Sequence, residues 1–312
     1  MRILTILTIL SLGAAAGAAD TPQGTDWKQE EQRWRERRLE RLRSPDGWLT
    51  LVGLHWIDGP PLTFGTAPDN AIVLPAGPAH AGTFEADFKG ITVRPEAGAV
   101  LLSGQPLAEP RLLRGDDQDE PDVLQVGRLR LTAIKRGVRW AIRAKDPESA
   151  ALRDFQGIES WPLDAKWRIE ATWEAFPEAR QRMFSTAQGT TESVKVPGIA
   201  RFKLEGKDVR LEPILEDPDA DELLFVFKDA TSGKATYGAG RFLYAAMPRD
   251  GKVVLDFNRA YNPPCAFTPH ATCPLPPPTN RLKVAIEAGE KKYAGHGPHA
   301  SPKLTAPSGA GT

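Results

Sequence analysis

The sequence predicts a mainly β protein: an N-terminal helix, a β-sandwich region, and a second β-rich region closed by a proline-rich loop. Three observations lead there. Residues 25–43 carry a sustained helical pattern. From Trp48 onward, short runs with alternating apolar residues are separated by turn signals at close intervals, as in sandwiches and barrels. Finally, Asp256–Asn280 holds Pro263, Pro264, Pro269, Pro274, Pro276, Pro277 and Pro278. Proline fixes φ and removes a backbone donor, so this stretch is neither a regular helix nor a central strand. The apolar anchors Phe257 and Phe267 within it predict an ordered loop.

The chain opens MRILTILTILSLGAAAGAAD. One arginine, a short apolar run and the small residues Ala16-Gly17-Ala18 predict a cleaved signal over residues 1–19, and with it a periplasmic or secreted protein. The run is shorter than the roughly 20 residues that span a bilayer. No later stretch is long and apolar enough to do so, so no membrane span is expected after cleavage. With 40 basic and 40 acidic residues the chain has no net charge, which argues against a nucleic-acid binder.

In the helix TDWKQEEQRWRERRLERLR, Trp27, Trp34 and Leu42 fall near one narrow face. Glu31 and Arg35 are spaced as an i,i+4 pair. The basic run RWRERRLERLR is interrupted by glutamates and reads as a solvated face. Pro45-Asp46-Gly47 stops the helix. The sandwich-like region follows at 47–145, with short strands expected from Trp48 through Arg143. A polar break at 145–154 is either a boundary or a loop into the next unit. The second β-region runs over 155–293, with strands expected at Arg182–Thr186, Thr191–Val196, Ala200–Leu204, Val209–Leu211, Leu223–Phe227, Gly240–Tyr244 and Val253–Phe257. The tail at 294–312 is rich in Gly, Pro and Ser and is expected to be disordered.

Two resemblances carry expectations. The run FGTAPDNAIVLPAGPAHAGTFE resembles a forkhead-associated β-sandwich. That family holds a phosphothreonine with an Arg after the glycine and a Ser three before the His. Here Thr66 follows Gly65, and Gly77 stands three before His80, so phosphopeptide binding does not carry over. The motifs DFNRAYNPPCAF, CPLPPPTNRL and EAGEKKY, with FKDATSGKATYGAGRFLY and GWLTLVGLHWIDG upstream, resemble a bacterial and archaeal family, domain of unknown function 1684. The likeness runs over about residues 27–293 and implies no particular reaction.

The residues that invite a functional reading cluster late in the chain: Asp229, Arg241, Asp256, Asn258, Arg259, Tyr261, Asn262, Asn280, Arg281 and Glu290. Carboxylates can act as general acid and base, while Arg and Asn hold an anionic or polyhydroxylated small molecule. The other reading pairs these carboxylates and arginines with each other and turns the asparagines onto loop backbone, because irregular buried loops demand such partners. Function therefore divides into two classes: a ligand-binding protein or enzyme acting on a small polar or anionic molecule, or a structural or interaction module whose polar motif braces the fold. Cys265 and Cys273 close a short loop, and in an exported chain a disulfide is the leading expectation, ahead of free thiols and of a metal site with His270. The spacing is no zinc pattern, so neither metal nor cofactor is expected. Ser232-Gly233-Lys234 lacks the earlier glycine of a phosphate loop and reads as a hairpin turn. His55 and His80 read as packed or surface histidines.

Overall fold

A computed structural model describes residues 26–295. The expected signal at 1–19 and nearly all of the tail at 294–312 lie outside the described residues. The chain is mainly β, with one N-terminal helix ahead of several sheets. Helix α1 spans Asp26–Arg43. Eleven strands follow: Leu51–Trp56 (β1), Leu62–Gly65 (β2), Ile72–Val73 (β3), Gly82–Ala86 (β4), Ile91–Pro95 (β5), Leu101–Leu102 (β6), Gln105–Pro106 (β7), Arg111–Leu112 (β8), Val123–Val126 (β9), Leu129–Arg136 (β10) and Arg139–Lys145 (β11). They form a sheet of order β1-β11-β10-β9-β6-β7 and another of order β3-β2-β4-β5-β8. Phe64, Phe84, Ile91 and Val93 from one sheet meet Leu124, Leu131, Ile142 and Ala144 from the other in one apolar core. The alternation read in the sequence puts these residues on the inner faces, since successive side chains of a strand point to opposite sides.

The polar break is a docked segment. Asp146 N–H donates to Thr50 O at 2.7 Å, and Ser149 Oγ to Leu49 O at 2.7 Å. Ser149 also caps the single helical turn Ala150–Arg153 (α2) by accepting from Leu152 N–H.

The second region contains Arg168–Ser185 (β12), Thr191–Leu204 (β13), Lys207–Leu211 (β14), Glu222–Phe227 (β15), Arg241–Ala246 (β16) and Lys252–Asp256 (β17). Its four-stranded sheet has order β14-β13-β12-β17, and β15 pairs with β16. The sequence places a strand only at Arg182–Thr186, but β12 already begins at Arg168. The reason lies at Pro177 and Pro197: neither can donate to the ladder, and the register shifts between Ala175 and Arg180. The long hairpin is thereby divided. Ala171, Ala200 and Phe202 from its near half pack with Phe225, Leu243, Leu255 and Phe257. Phe184 and Val196 from its far half join Leu51 of β1, which links the two β-regions.

Among the described residues after β17 there is no further strand, and short 3-10 turns form at Phe257–Arg259, Pro264–Ala266 and Pro278–Asn280. It is nonetheless ordered as expected, with Phe257 and Phe267 buried.

Candidate functional site

The backbone between 257 and 293 leaves ladder pairing behind, so its donors and acceptors need other partners. One strap of it, residues 286–291, is threaded between the 257–262 turn and segment 159–161. Glu290 N–H donates to Ala260 O at 2.7 Å, Trp161 N–H to Gly289 O at 3.0 Å and Lys291 N–H to Glu159 O at 2.8 Å. Gly289 allows this approach. Its φ is +72°, and an added Cβ would strike the Ala260 carbonyl.

Arg241, on β16, is 1% exposed and anchors the strap. Its guanidinium donates to Asp229 Oδ2 at 2.7 Å, to Ile286 O at 2.8 Å and to Ala288 O. Burial lowers its pKa, and Asp229 opposes that shift. Asp229 also accepts from Thr231 N–H at 2.6 Å, and Thr231 Oγ1 pairs with Thr236 Oγ1 at 2.8 Å. The Ser232-Gly233-Lys234 run is the turn expected of it, with Lys234 N–H donating to Thr231 O at 3.0 Å.

The asparagines bind backbone. Asn280, fully buried, donates to Glu212 O at 2.8 Å and Val226 O at 2.9 Å and accepts from Glu212 N–H at 2.9 Å. Asn258 exchanges bonds with both backbone groups of Asp164, at 3.1 and 3.0 Å, and donates to Asp256 Oδ1 at 2.8 Å. Asn262 donates to Lys291 O at 2.7 Å, while its own Oδ1 is buried without a hydrogen-bond partner among the described residues. Arg281 makes a long bond to Pro276 O at 3.3 Å and stays exposed.

The remaining candidates reach back to α1. Glu290 accepts from Arg38 Nε at 3.1 Å and from Asn262 N–H at 2.7 Å. Arg38 also donates to Asn262 O at 2.9 Å and lies over the Tyr261 ring, 4.6 Å from its centroid. Arg259 donates to Glu31 at 2.8 and 2.9 Å and to Glu30 at 2.9 Å. Burial works against the Arg259 cation, but these bonds outweigh it and hold the pKa above its ordinary value. Tyr261 packs edge-on against Phe242, and burial pushes its hydroxyl pKa up.

Two expectations about α1 are corrected here. The basic run is not simply a solvated face: its Arg38 is buried with Leu42, alongside Trp27 and Glu31 from earlier in the helix. The anticipated Glu31–Arg35 pair is also not formed. Glu31 turns to Arg259, and Arg35 donates instead to Trp161 O at 2.9 Å. Glu31 and Arg38 lie on the same helix face as Trp27 and Leu42, a phase present in the sequence but carried there by charged residues.

The bridge expected between Cys265 and Cys273 is not formed; both are free thiols. Cys273 Sγ instead accepts the Cys265 N–H at 3.2 Å. The hydrogen bond with Cys273 draws the Cys265 thiol down, whereas burial pushes Cys273 up. His55 is half-buried, with a pKa lowered by burial, and His80 is exposed. Among the described residues no group of three or more His, Cys, Asp and Glu is placed to hold a metal ion. No helix among them is long and apolar enough to cross a membrane.

A cavity of about 240 Å³ opens beneath α1, lined by Gln32, Trp34, Arg35, Arg38, Leu39, Ile158, Ser160, Asn258 and Glu290. Of the ten candidate site residues it includes Asn258 and Glu290, and both are already bonded within the fold.

No curated protein matches this chain. Among solved structures, the solution NMR structure of an uncharacterized protein from Haloarcula marismortui is similar at 29% identity, covering 48% of this chain and 85% of that one, with a TM-score of 0.41. The family described as "Protein of unknown function (DUF1684)" has a model that matches residues 153–291, so the upstream motif GWLTLVGLHWIDG lies outside the match. That match runs from the end of α2 through the strap that carries Glu290, and over those residues the chain is similar to the DUF1684 family.

Proposed function

We propose that this chain is an exported structural or interaction module, in which the polar C-terminal motif clamps α1 onto the second β-region. One observation carries the reading: the side chains best suited to catalysis or ligand binding are engaged within the chain. Arg241 and Asp229 hold the strap, while Arg259 and Glu290 hold α1 through Glu31 and Arg38. A ligand site made of the motif itself would leave such groups facing a cavity. The clamp is tested by thermal melts of Arg259→Lys and Arg259→Ala. Glu31 has 3% of its side chain exposed, so Arg259→Ala strands an almost buried carboxylate. A loss of about 3 kcal/mol is expected, and Arg259→Lys falls between wild type and alanine because an ammonium cannot reproduce the fork. Melting temperatures equal to wild type in both variants reject the clamp.

Export rests on the N-terminal sequence pattern. Mass spectrometry of the exported protein should find a start near Ala19 or Asp20, and an intact Met1 there would reject the proposal.

The small polar or anionic ligand remains as a second reading, favoured by the cavity beneath α1.

A further inference from the structure

The cavity between α1 and segment 158–160 measures about 240 Å³. At roughly 30 Å³ per water in the liquid, that is space for a small organic molecule. Its walls divide chemically. Trp34, Leu39 and Ile158 supply apolar surface, and Gln32, Arg35, Arg38, Ser160, Asn258 and Glu290 supply polar groups, with Arg38 and Glu290 paired to each other.

Arg35 differs from the cations around it. Arg38 is held by Glu290 and Arg259 by Glu30 and Glu31. Arg35 gives one N–H to Trp161 O at 2.9 Å and makes no ion pair among the described residues. Glu31, Glu290 and Asp256 act on it electrostatically. Each of these carboxylates already has closer donors, respectively Arg259, Arg38 with Asn262 N–H, and Asn258. Burial lowers the Arg35 pKa, so the cation gains from a partner that enters its pocket. Half-buried Ser160 adds a hydroxyl at the same wall. A guanidinium with unused donors matches a carboxylate in bidentate fashion. An apolar wall with a few convergent polar groups is the usual chemistry of a small-molecule site.

We propose that this cavity binds a small organic monocarboxylate, its carboxylate on Arg35 and its hydrocarbon part against Trp34, Leu39 and Ile158. The clamp pair Arg38–Glu290 also lines the cavity, but the carboxylate is held by Arg35, which takes no part in the Arg38–Glu290 or Arg259–Glu31 pairs.

Calorimetric titration of the full chain with acetate, isovalerate and benzoate tests the site, with benzamide and inorganic phosphate as controls. Isovalerate or benzoate should bind saturably and more tightly than acetate or phosphate, and benzamide should not bind. Arg35→Gln should weaken binding about tenfold or more, with the melting temperature near wild type and the clamp intact. Should that variant fail to fold, Ile158→Trp, which fills the cavity and keeps Arg35, must abolish binding. The proposal is overturned by no saturable carboxylate binding, by benzamide or phosphate matching benzoate, or by affinity that survives Arg35→Gln or Ile158→Trp in a folded protein.

Discussion

In the N-terminal sandwich, pairs such as Arg139–Asp58, Arg130–Asp46 and Arg94–Glu85 keep both partners well exposed, and the space between the sheets is apolar. In the C-terminal region Asp229, Arg241, Asn258, Asn262, Asn280 and Glu290 are all buried. The difference follows from how each backbone is satisfied. The sandwich settles most of its main-chain groups in ladders, and few of its buried side chains, Asn70 and Asp122 among them, serve loop backbone. The 257–293 segment has prolines and short 3-10 turns in place of a ladder. Its carbonyls at Ile286 and Ala288 are therefore met by Arg241, and its Asn280 in turn meets the carbonyls of Glu212 and Val226 outside the segment. Buried polarity here substitutes for secondary structure.

The comparison breaks most sharply at Arg241. Arg241→Met leaves Asp229, whose side chain is fully buried, without its cation and strips donors from the strap. Urea unfolding should show a loss of about 3–5 kcal/mol, and Asp229→Leu combined with Arg241→Met should recover part of it. A loss below about 1 kcal/mol would place the pair among ordinary surface contacts.

A middle case sits where the sandwich meets the docked 146–149 segment. Asp146 is held below the usual carboxylate range by Arg128, at 2.8 and 2.9 Å, and also by the Glu148 N–H, against the cost of burial. Because its folded pKa lies below the unfolded value of about 3.9, its contribution is present above that pH and lost as pH falls through the folded pKa. Arg128 is 43% exposed, so screening keeps the expected cost of Asp146→Asn to about 1 kcal/mol near neutral pH. The gap between wild type and variant in melts should close as the pH drops below about 4. A gap that is constant with pH would mean the carboxylate's charge plays no part.

The smallest effect belongs to the exposed rim. Arg139 and Asp58 have side chains 42% and 56% exposed. Arg139→Ala should change stability by less than about 1 kcal/mol, including what is lost where its guanidinium covers Trp56. A cost rivalling that of Arg241→Met would erase the contrast between the two regions.

Much of this fold is legible in the sequence because it rests on local rules. The α1 pattern, the alternation that fills the sandwich and the prolines that forbid a strand after Asp256 are each decided within a few residues. The long β12–β13 hairpin was only partly legible, since Pro177 and Pro197 look like breaks but act as a shift of register between two paired halves. Of the inward face of α1, Trp27 and Leu42 were legible, but its charged members Glu31 and Arg38 were not. Whether a charge is buried depends on its partner, and Glu31 finds Arg259 228 positions away. The candidate residues were found for a sound reason, their density in a proline-rich loop. Their chemistry is spent on the loop and on α1, and Arg35, which makes no ion pair among the described residues, lies in the basic run that was read as a solvated face.

The central claim, that the motif exists to hold α1, is tested most directly by a double-mutant cycle on Arg259→Ala and Glu31→Gln, read by urea unfolding of the full chain. The account predicts a coupling of about 1.5–3 kcal/mol, with the double variant more stable than additivity of the two single changes would give. Additive costs, with coupling indistinguishable from zero, would contradict it.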